Sequence, residues 1–240
     1  MPDVRLHLIG GFDLTVDGRP VDALQPGMQR LLAFVALTPR GVSREFAALQ
    51  LWPDTAEERA RANLRSALWR IRRLPVDLVT TTAARVRLSE AVWVDARHGI
   101  DALAQGGDAG LLDGLPFRSL MADLLPDWYD DWLDIERERL RQLSLRALER
   151  RAADALAGAD ASTAIQLALT AASIDPLRES AHRLLIEAHL AEGNQRDALR
   201  TLDDYRQRAA FESLAPSADL EALVRERVAG WSTPLARAAG

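Results

Sequence analysis

The segment from Arg59 to Arg73 contains six arginines and no acidic residue. Guanidinium groups bind phosphate oxygens through paired hydrogen bonds and stay charged at every physiological pH. The apolar residues Leu64, Leu68 and Ile71 recur at spacings of three and four, which predicts a helix that buries this stripe and turns its arginines outward. We therefore predict a phosphate-binding helix rather than a catalytic centre.

A hairpin with a basic tip is predicted directly after this helix. Strand patterns at 76–79 and 86–88 flank a turn near Thr82, and Arg85 and Arg87 lie beside that turn. The order of short helix, turn, basic helix and hairpin is typical of a winged helix. Its helix fits the ~12 Å major groove of B-DNA, and its hairpin reaches the neighbouring minor groove or backbone. The predicted partner is double-stranded DNA.

The predicted DNA contacts come from the outward side of the basic helix and from the hairpin: Arg59, Arg65, Ser66, Trp69, Arg70, Arg73, Thr82 and Arg85. We expect Arg65 and Ser66 to read base edges, whereas Arg59, Arg73 and Arg85 hold phosphates. If about four arginines neutralise phosphates, the logarithm of the affinity should fall with the logarithm of the salt concentration at a slope of about −3.6.

Two alternatives stay open for these residues. The arginines also fit a solvated basic face that pairs with acidic residues of the second half of the chain. Trp69 fits either a contact with a DNA sugar or a thymine methyl group, or packing against the hairpin or the second half.

Other kinds of site lack support in the sequence. The chain has no cysteine, which excludes disulfides, thiolate metal sites and cysteine nucleophiles. Its four histidines form no His-Glu-x-x-His motif, and neither a Walker phosphate loop nor a Gly-x-Ser-x-Gly elbow is present. We predict that the protein is not an enzyme and uses no cofactor and no metal.

The elements before residue 95 follow from hydrophobic periodicity. Residues 1–22 alternate as strands of a small antiparallel sheet. A helix with its stripe near Leu31 comes next, and Ser43 is the predicted N-cap of a short helix that carries Phe46, Leu49 and Leu51 as its apolar residues. The basic helix is predicted from about Ala56 to Leu74, and Val92 and Val94 mark a last strand.

The chain beyond Asp95 is predicted to be wholly helical. A long helix runs from about Pro126 to Ala157, with Asp127, Asp130 and Asp131 in its first turn, where carboxylates favour the helix dipole. They lack the spacing of an EF-hand loop, so no metal site is predicted. Asp160 and Ala164 recur 34 residues later as Asn194 and Ala198, which is the tetratricopeptide period of paired helices.

Charge divides the chain in the same way. The formal net charge is −5, yet residues 1–97 carry +3 and residues 98–240 carry −8. We predict a winged-helix DNA-binding domain at 1–95, a helical domain at 96–230 and a flexible tail at 231–240. The fold class is an α+β winged helix followed by an all-α tetratricopeptide-like domain, mainly α overall. Without a signal peptide or an apolar span, the expected location is the cytoplasm and no membrane partner is expected.

These motifs resemble the Streptomyces antibiotic regulatory protein family of transcriptional activators. The front half resembles the family's winged helix through Leu8–Phe12, Val16–Pro20, Arg30–Ala33, Val42–Glu45, Leu51–Pro53, Asn63–Arg65 and Leu68–Arg73. The back half resembles the bacterial transcriptional activator domain, a tetratricopeptide-like module, through Leu125–Trp132, Glu136–Leu140, Asp175–His182, Ala191–Asn194 and Pro216–Ser217.

The resemblance implies a sequence-specific activator that binds promoter repeats in pairs and contacts RNA polymerase, with a homodimer as a further possibility. It departs from the family at Trp69, where members usually have a small or polar residue, and at the wing turn 82–85. The alternative function is a protein-interaction adaptor whose winged helix does not read DNA.

Overall fold

The computed structural model describes residues 2–22, 24–104 and 122–228. The chain divides into two compact units, Met1–Leu143 and Ser144–Gly240. The first unit thus continues past residue 95, where the sequence analysis divides the chain. The predicted tail at 231–240 lies outside the described residues.

The first unit begins with a four-stranded sheet. Strand β1 (Val4–His7) pairs antiparallel with β2 (Asp13–Val16), which pairs with β3 (Arg19–Pro20). Alternate residues of β1 are buried, as the period-two pattern predicts. The fourth strand, β7 (Val92–Val94), pairs parallel to β1 and returns the chain to this sheet after three helices and a hairpin. The sequence pattern predicts β7 as a strand but does not indicate its partner.

Three helices follow the first hairpin. They are α1 (Pro26–Leu37), α2 (Arg44–Leu51) and α3 (Glu57–Ile71). Ser43 is the N-cap of α2, as predicted, because its hydroxyl accepts a hydrogen bond from the backbone N–H of Phe46 at 3.1 Å. The predicted third helix continues to Leu74, whereas α3 ends at Ile71.

Helix α2 buries only one of its three large apolar residues. Leu51 is buried, but Phe46 is 50% exposed and Leu49 is 42% exposed. Two alanines, Ala47 and Ala48, lie against the core instead. Small side chains let this short helix approach its neighbours closely, so residue size and not only hydrophobicity determines which face turns inward.

The predicted hairpin is present and gains a third strand. Strand β5 (Val79–Thr81) pairs antiparallel with β6 (Arg85–Leu88), and β6 also pairs with β4 (Val42–Ser43). We call the β5–β6 hairpin the wing. Because β4 directly precedes α2, its pairing joins the wing to the start of that helix.

Residues beyond 95 complete the first unit. Asp95 begins α4 (Asp95–Ala104), and its buried carboxylate accepts hydrogen bonds from the backbone N–H groups of Leu8 and Ile9 at 2.8 and 3.1 Å. Burial raises the pKa of this carboxyl, while those N–H groups favour its charged form. Arg97 donates to the carbonyl of Val35 at 2.8 Å. These bonds fasten α4 to the first sheet and to the end of α1.

The long helix starts later than predicted. Helix α5 (Trp132–Ala157) begins six residues after Pro126, so Asp130 precedes it instead of occupying its first turn. The Asp130 carboxylate forms an ion pair with Arg30 of α1 and accepts a hydrogen bond from the indole N–H of Trp132 at 3.1 Å. An ion-pair partner 100 residues away therefore explains this aspartate better than the helix dipole does.

The second unit continues with four helices, which are α6 (Ala161–Ile174), α7 (Glu179–Ala191), α8 (Gln195–Phe211) and α9 (Ala218–Arg227). Helices α6 and α7 pack together, as do α7 and α8. The 34-residue repeat has a structural counterpart, because Asp160 and Asn194 are the N-caps of α6 and α8, and Ala164 and Ala198 are fully buried one turn later. The predicted tetratricopeptide-like fold is confirmed.

Candidate nucleic-acid interface

Helix α3 has one buried and one exposed side. Its buried side consists of Ala60, Leu64, Ala67, Leu68 and Ile71. All eight side chains predicted to contact DNA are exposed: five on α3, Arg73 just beyond its end, and two on the wing. The apolar stripe therefore positions the helix as expected, and the arginines lie on the opposite side.

The four arginines of α3 and the two that directly follow it differ in their contacts within the protein. Arg61 forms ion pairs with Glu45 of α2, at 2.7 Å, and with Glu57 one turn earlier. Arg72 donates a hydrogen bond to the hydroxyl of Thr81 on the wing. Within the described parts of the chain, the side chains of Arg59, Arg65 and Arg70 form no ion pair and no hydrogen bond. Their charge is not neutralised by a neighbouring carboxylate.

Trp69, in the last turn of α3, forms a stacked pair with Arg73 just beyond the end of that helix. The Arg73 guanidinium carbon lies 4.7 Å from the centre of the Trp69 ring, within the range of a cation–π contact. The indole remains 58% exposed with this arginine against it.

The wing turn is held by its own side chains. The Thr82 hydroxyl accepts a hydrogen bond from the backbone N–H of Arg85 at 3.0 Å, and the Thr82 N–H donates to the Arg85 carbonyl at 2.9 Å. The Arg85 guanidinium donates to the carbonyl of Gly41 at 2.7 Å. Arg85 is therefore exposed but already bonded to the loop before β4, in addition to its predicted role towards phosphate.

A groove of about 480 Å³ lies between α3 and the wing turn. Arg44 at the start of α2, Arg65 of α3, and Ala83 and Ala84 of the wing turn contribute to its walls. The backbone N–H of Arg44 donates to the Ala84 carbonyl at 2.9 Å, which fixes the turn beside the helix. Arg44 is not among the residues predicted from the sequence, because only the fold brings the start of α2 against the wing.

The chemistry available to this surface is electrostatic and hydrogen-bonding. Among residues 2–22, 24–104 and 122–228, no three histidine, aspartate or glutamate side chains are grouped as a metal site requires. In the same residues, no helix is both long and apolar enough to cross a membrane. Exposed guanidinium groups with a hydroxyl and an indole among them suit an anionic polymer better than a small reacting molecule.

Comparison with known proteins agrees with this architecture. Residues 116–226 match the family described as the bacterial transcriptional activator domain. The search of curated proteins found no match. Among solved structures, the chain is similar to "Mycobacterium tuberculosis EmbR in complex with low affinity phosphopeptide", with a TM-score of 0.74 and 22% sequence identity.

The similarity to that structure covers 94% of this chain and 65% of the other, so this chain spans about two thirds of the length of the protein it matches. At 22% identity the likeness establishes the shared fold. The family match adds the type of module, and together they confirm the resemblance stated from the sequence. Residues 116–226 of this chain thus form a bacterial transcriptional activator domain.

Proposed function

We propose that the protein binds double-stranded DNA sequence-specifically, with α3 in the major groove and the wing on the flanking DNA. One observation carries this proposal: Arg59, Arg65 and Arg70 of α3 are exposed, as is Arg73 just beyond its end, and none of the four has an acidic partner among the described residues. An unpaired row of guanidinium groups on a helix is expected to bind a polyanion whose groove admits a helix.

The roles differ along the surface. Arg65 and Ser66 contact base edges, while Arg59, Arg70 and Arg73 neutralise phosphates. From the wing, Thr82 and Arg85 contact the backbone of the flanking DNA, and the bond of Arg85 to Gly41 keeps the wing turn at a fixed distance from α3. Arg44 extends the basic surface at the groove between them.

The two predicted domains have separate tasks in this proposal. Residues 1–95 contain the DNA-binding elements, and residues 96–230 mediate self-association and contact with RNA polymerase at promoters. The protein acts on cytoplasmic DNA as a binding protein, without catalysis of its own and without a cofactor.

The test is a titration of the full chain on its own upstream DNA at several salt concentrations. Four neutralised phosphates give a log–log slope of about −3.6. The double variant Arg65→Gln/Arg70→Gln should lower that slope by about 1.8 in magnitude and weaken binding. A matched control removes the same charge elsewhere: Arg146→Gln/Arg150→Gln on the exposed side of α5 should leave both quantities unchanged.

Two outcomes contradict the proposal. One is an affinity that does not change with salt. The other is an equal loss for both double variants, which would mean that net charge and not the α3 surface is responsible. Either outcome favours the adaptor, a winged helix that docks a protein instead of reading DNA.

A further inference from the structure

Trp69 lies in the last turn of α3, outside its buried side. Arg65 precedes it by one helical turn on the same face, and Arg73, just beyond the end of the helix, stacks on its ring. Large aromatic side chains are usually mostly buried, and this one is 58% exposed. A duplex that docks head-on against α3 meets this indole between two guanidinium groups.

The neighbouring arginine restricts the indole. The Arg73 guanidinium stacks at 4.7 Å from the ring centre and covers one face of the indole. Stacking reduces the number of conformations of both side chains, which lowers the entropy cost of holding them in a complex. Arg73 keeps its charge and its N–H donors for a phosphate, while the uncovered part of the ring points outward.

We propose that Trp69 is a specificity-determining residue that recognises thymine, by packing its indole against the C5-methyl group in the major groove. Among the base edges of that groove, the thymine methyl is the apolar group, and the other groups are hydrogen-bond donors and acceptors. An indole offers a single N–H donor and a large apolar surface. Its exposed area is therefore complementary to the methyl group and not to a phosphate. This inference rests on the proposed DNA binding.

The experiment removes the methyl group without changing the base pairing. The full chain first selects duplexes from a random-sequence pool. The selected duplex is then resynthesised with deoxyuridine in place of one thymine at a time, and each affinity is measured. At one or more thymines the affinity of the wild-type chain should fall about fourfold, the value of one buried methyl-sized group.

Variants assign that loss to the indole. The Trp69→Gln chain should bind the thymine and deoxyuridine duplexes equally well, whereas Trp69→Leu keeps an apolar side chain and should keep part of the difference. Phe211→Gln alters another exposed aromatic residue, 88% exposed on α8, and should behave as wild type. Both Trp69 variants should fold normally because the indole is more than half exposed.

Each remaining outcome is decisive. If the wild-type chain selects a sequence with salt-dependent affinity but no thymine is sensitive to methyl removal, thymine recognition is wrong and the proposed function stands. Thymine recognition is also wrong if Trp69→Gln loses as much affinity on methyl removal as the wild-type chain does. It is equally wrong if Trp69→Gln loses the same affinity for every duplex, as removal of a sugar contact would give. If the chain selects no duplex and shows no salt dependence, the inference and the proposed function fail together.

Discussion

Arg85 and Gly41 hold the wing to the loop that follows α1. The Arg85 guanidinium donates to the Gly41 carbonyl at 2.7 Å, and Gly41 has a positive φ of 66°. The neighbouring residues Val42 and Ser43 pair with β6, so this loop runs directly beside the wing strand. The position of the wing relative to α3 depends on how closely the two backbones approach at Gly41.

Replacing Gly41 should therefore disrupt the wing. An alanine Cβ at this position would lie 2.8 Å from the Cβ of Arg87 and 2.9 Å from the carbonyl oxygen of Val86, too close for either to stay in place. Gly18→Ala is the matched control, since Gly18 also has a positive φ but has no atom within 4 Å of the added Cβ. We expect Gly18→Ala to cost about 1 kcal/mol for its backbone conformation, and Gly41→Ala about 2 kcal/mol more for the clash. Urea unfolding measures both; equal costs would contradict the close approach.

Arg61 of α3 and Arg73 just beyond its end should affect DNA binding differently. Arg61 is engaged by Glu45 and Glu57, whereas Arg73 is stacked on Trp69 and has no acidic partner among the described residues. We expect Arg73→Gln to reduce the magnitude of the salt slope by about 0.9, the contribution of one phosphate. Arg61→Gln removes the same charge and should reduce it by much less. A salt-dependent titration of both variants compares them, and the same reduction for each would show that position on α3 is irrelevant.

The sequence predicts those features of the fold that depend on local periodicity. The spacing of Leu64, Leu68 and Ile71 is sufficient to orient α3, because any helix with that stripe buries it and exposes the residues between. In the same way, the alternation of Val4 and Leu6 predicts β1. Because the apolar stripe faces the core, the remaining residues of α3 face solvent. This explains why the predicted contact residues of α3 are exposed.

Features that depend on distant partners were not predictable from one sequence. Nothing near Val92 indicates that it pairs with Val4 across three helices. The ion pair between Asp130 and Arg30 likewise requires the fold, and so does the neutralisation of Arg61 by an acid 16 residues away. Ion pairs with residues distant in sequence determine which arginines have an acidic partner. The sequence therefore identifies the arginine-rich surface but not which of its arginines are unpaired.

The first folding unit should extend beyond residue 95. Leu124 and Leu125 are fully buried, and the Leu125 N–H donates to the Leu8 carbonyl at 2.9 Å. Arg97 also caps the end of α1 through the Val35 carbonyl. A fragment of residues 1–95 lacks all of these contacts, and losing two buried leucines alone costs about 4 kcal/mol, much of the stability of a typical domain.

The fragment comparison tests this directly. A fragment of residues 1–157, which ends with α5, should unfold cooperatively in a thermal melt followed by circular dichroism. The fragment of residues 1–95 should melt at a much lower temperature or show no cooperative transition. Equal melting temperatures would mean that residues 95–143 contribute little to the stability of the first unit.

His182 should make the stability of the second unit depend on pH. Burial lowers the pKa of this imidazole, and the nearby charge of Arg208 lowers it further. A hydrogen bond to the Pro176 carbonyl at 3.0 Å opposes this shift, as do the carboxylates of Asp204 and Asp175, but the pKa stays below its usual value. The folded protein therefore keeps His182 neutral at a pH where the unfolded chain, with a pKa near 6.5, already takes up a proton. The contribution of His182 to stability is complete above about pH 6.5 and falls as the pH drops from there to the lowered pKa.

Urea unfolding between pH 7.5 and 5.5 measures this decline. The free energy of unfolding of the wild-type chain should fall over this range, and that of His182→Gln should change less. Phe211→Ala should keep the wild-type dependence. An unchanged decline in His182→Gln would assign the proton uptake to another group.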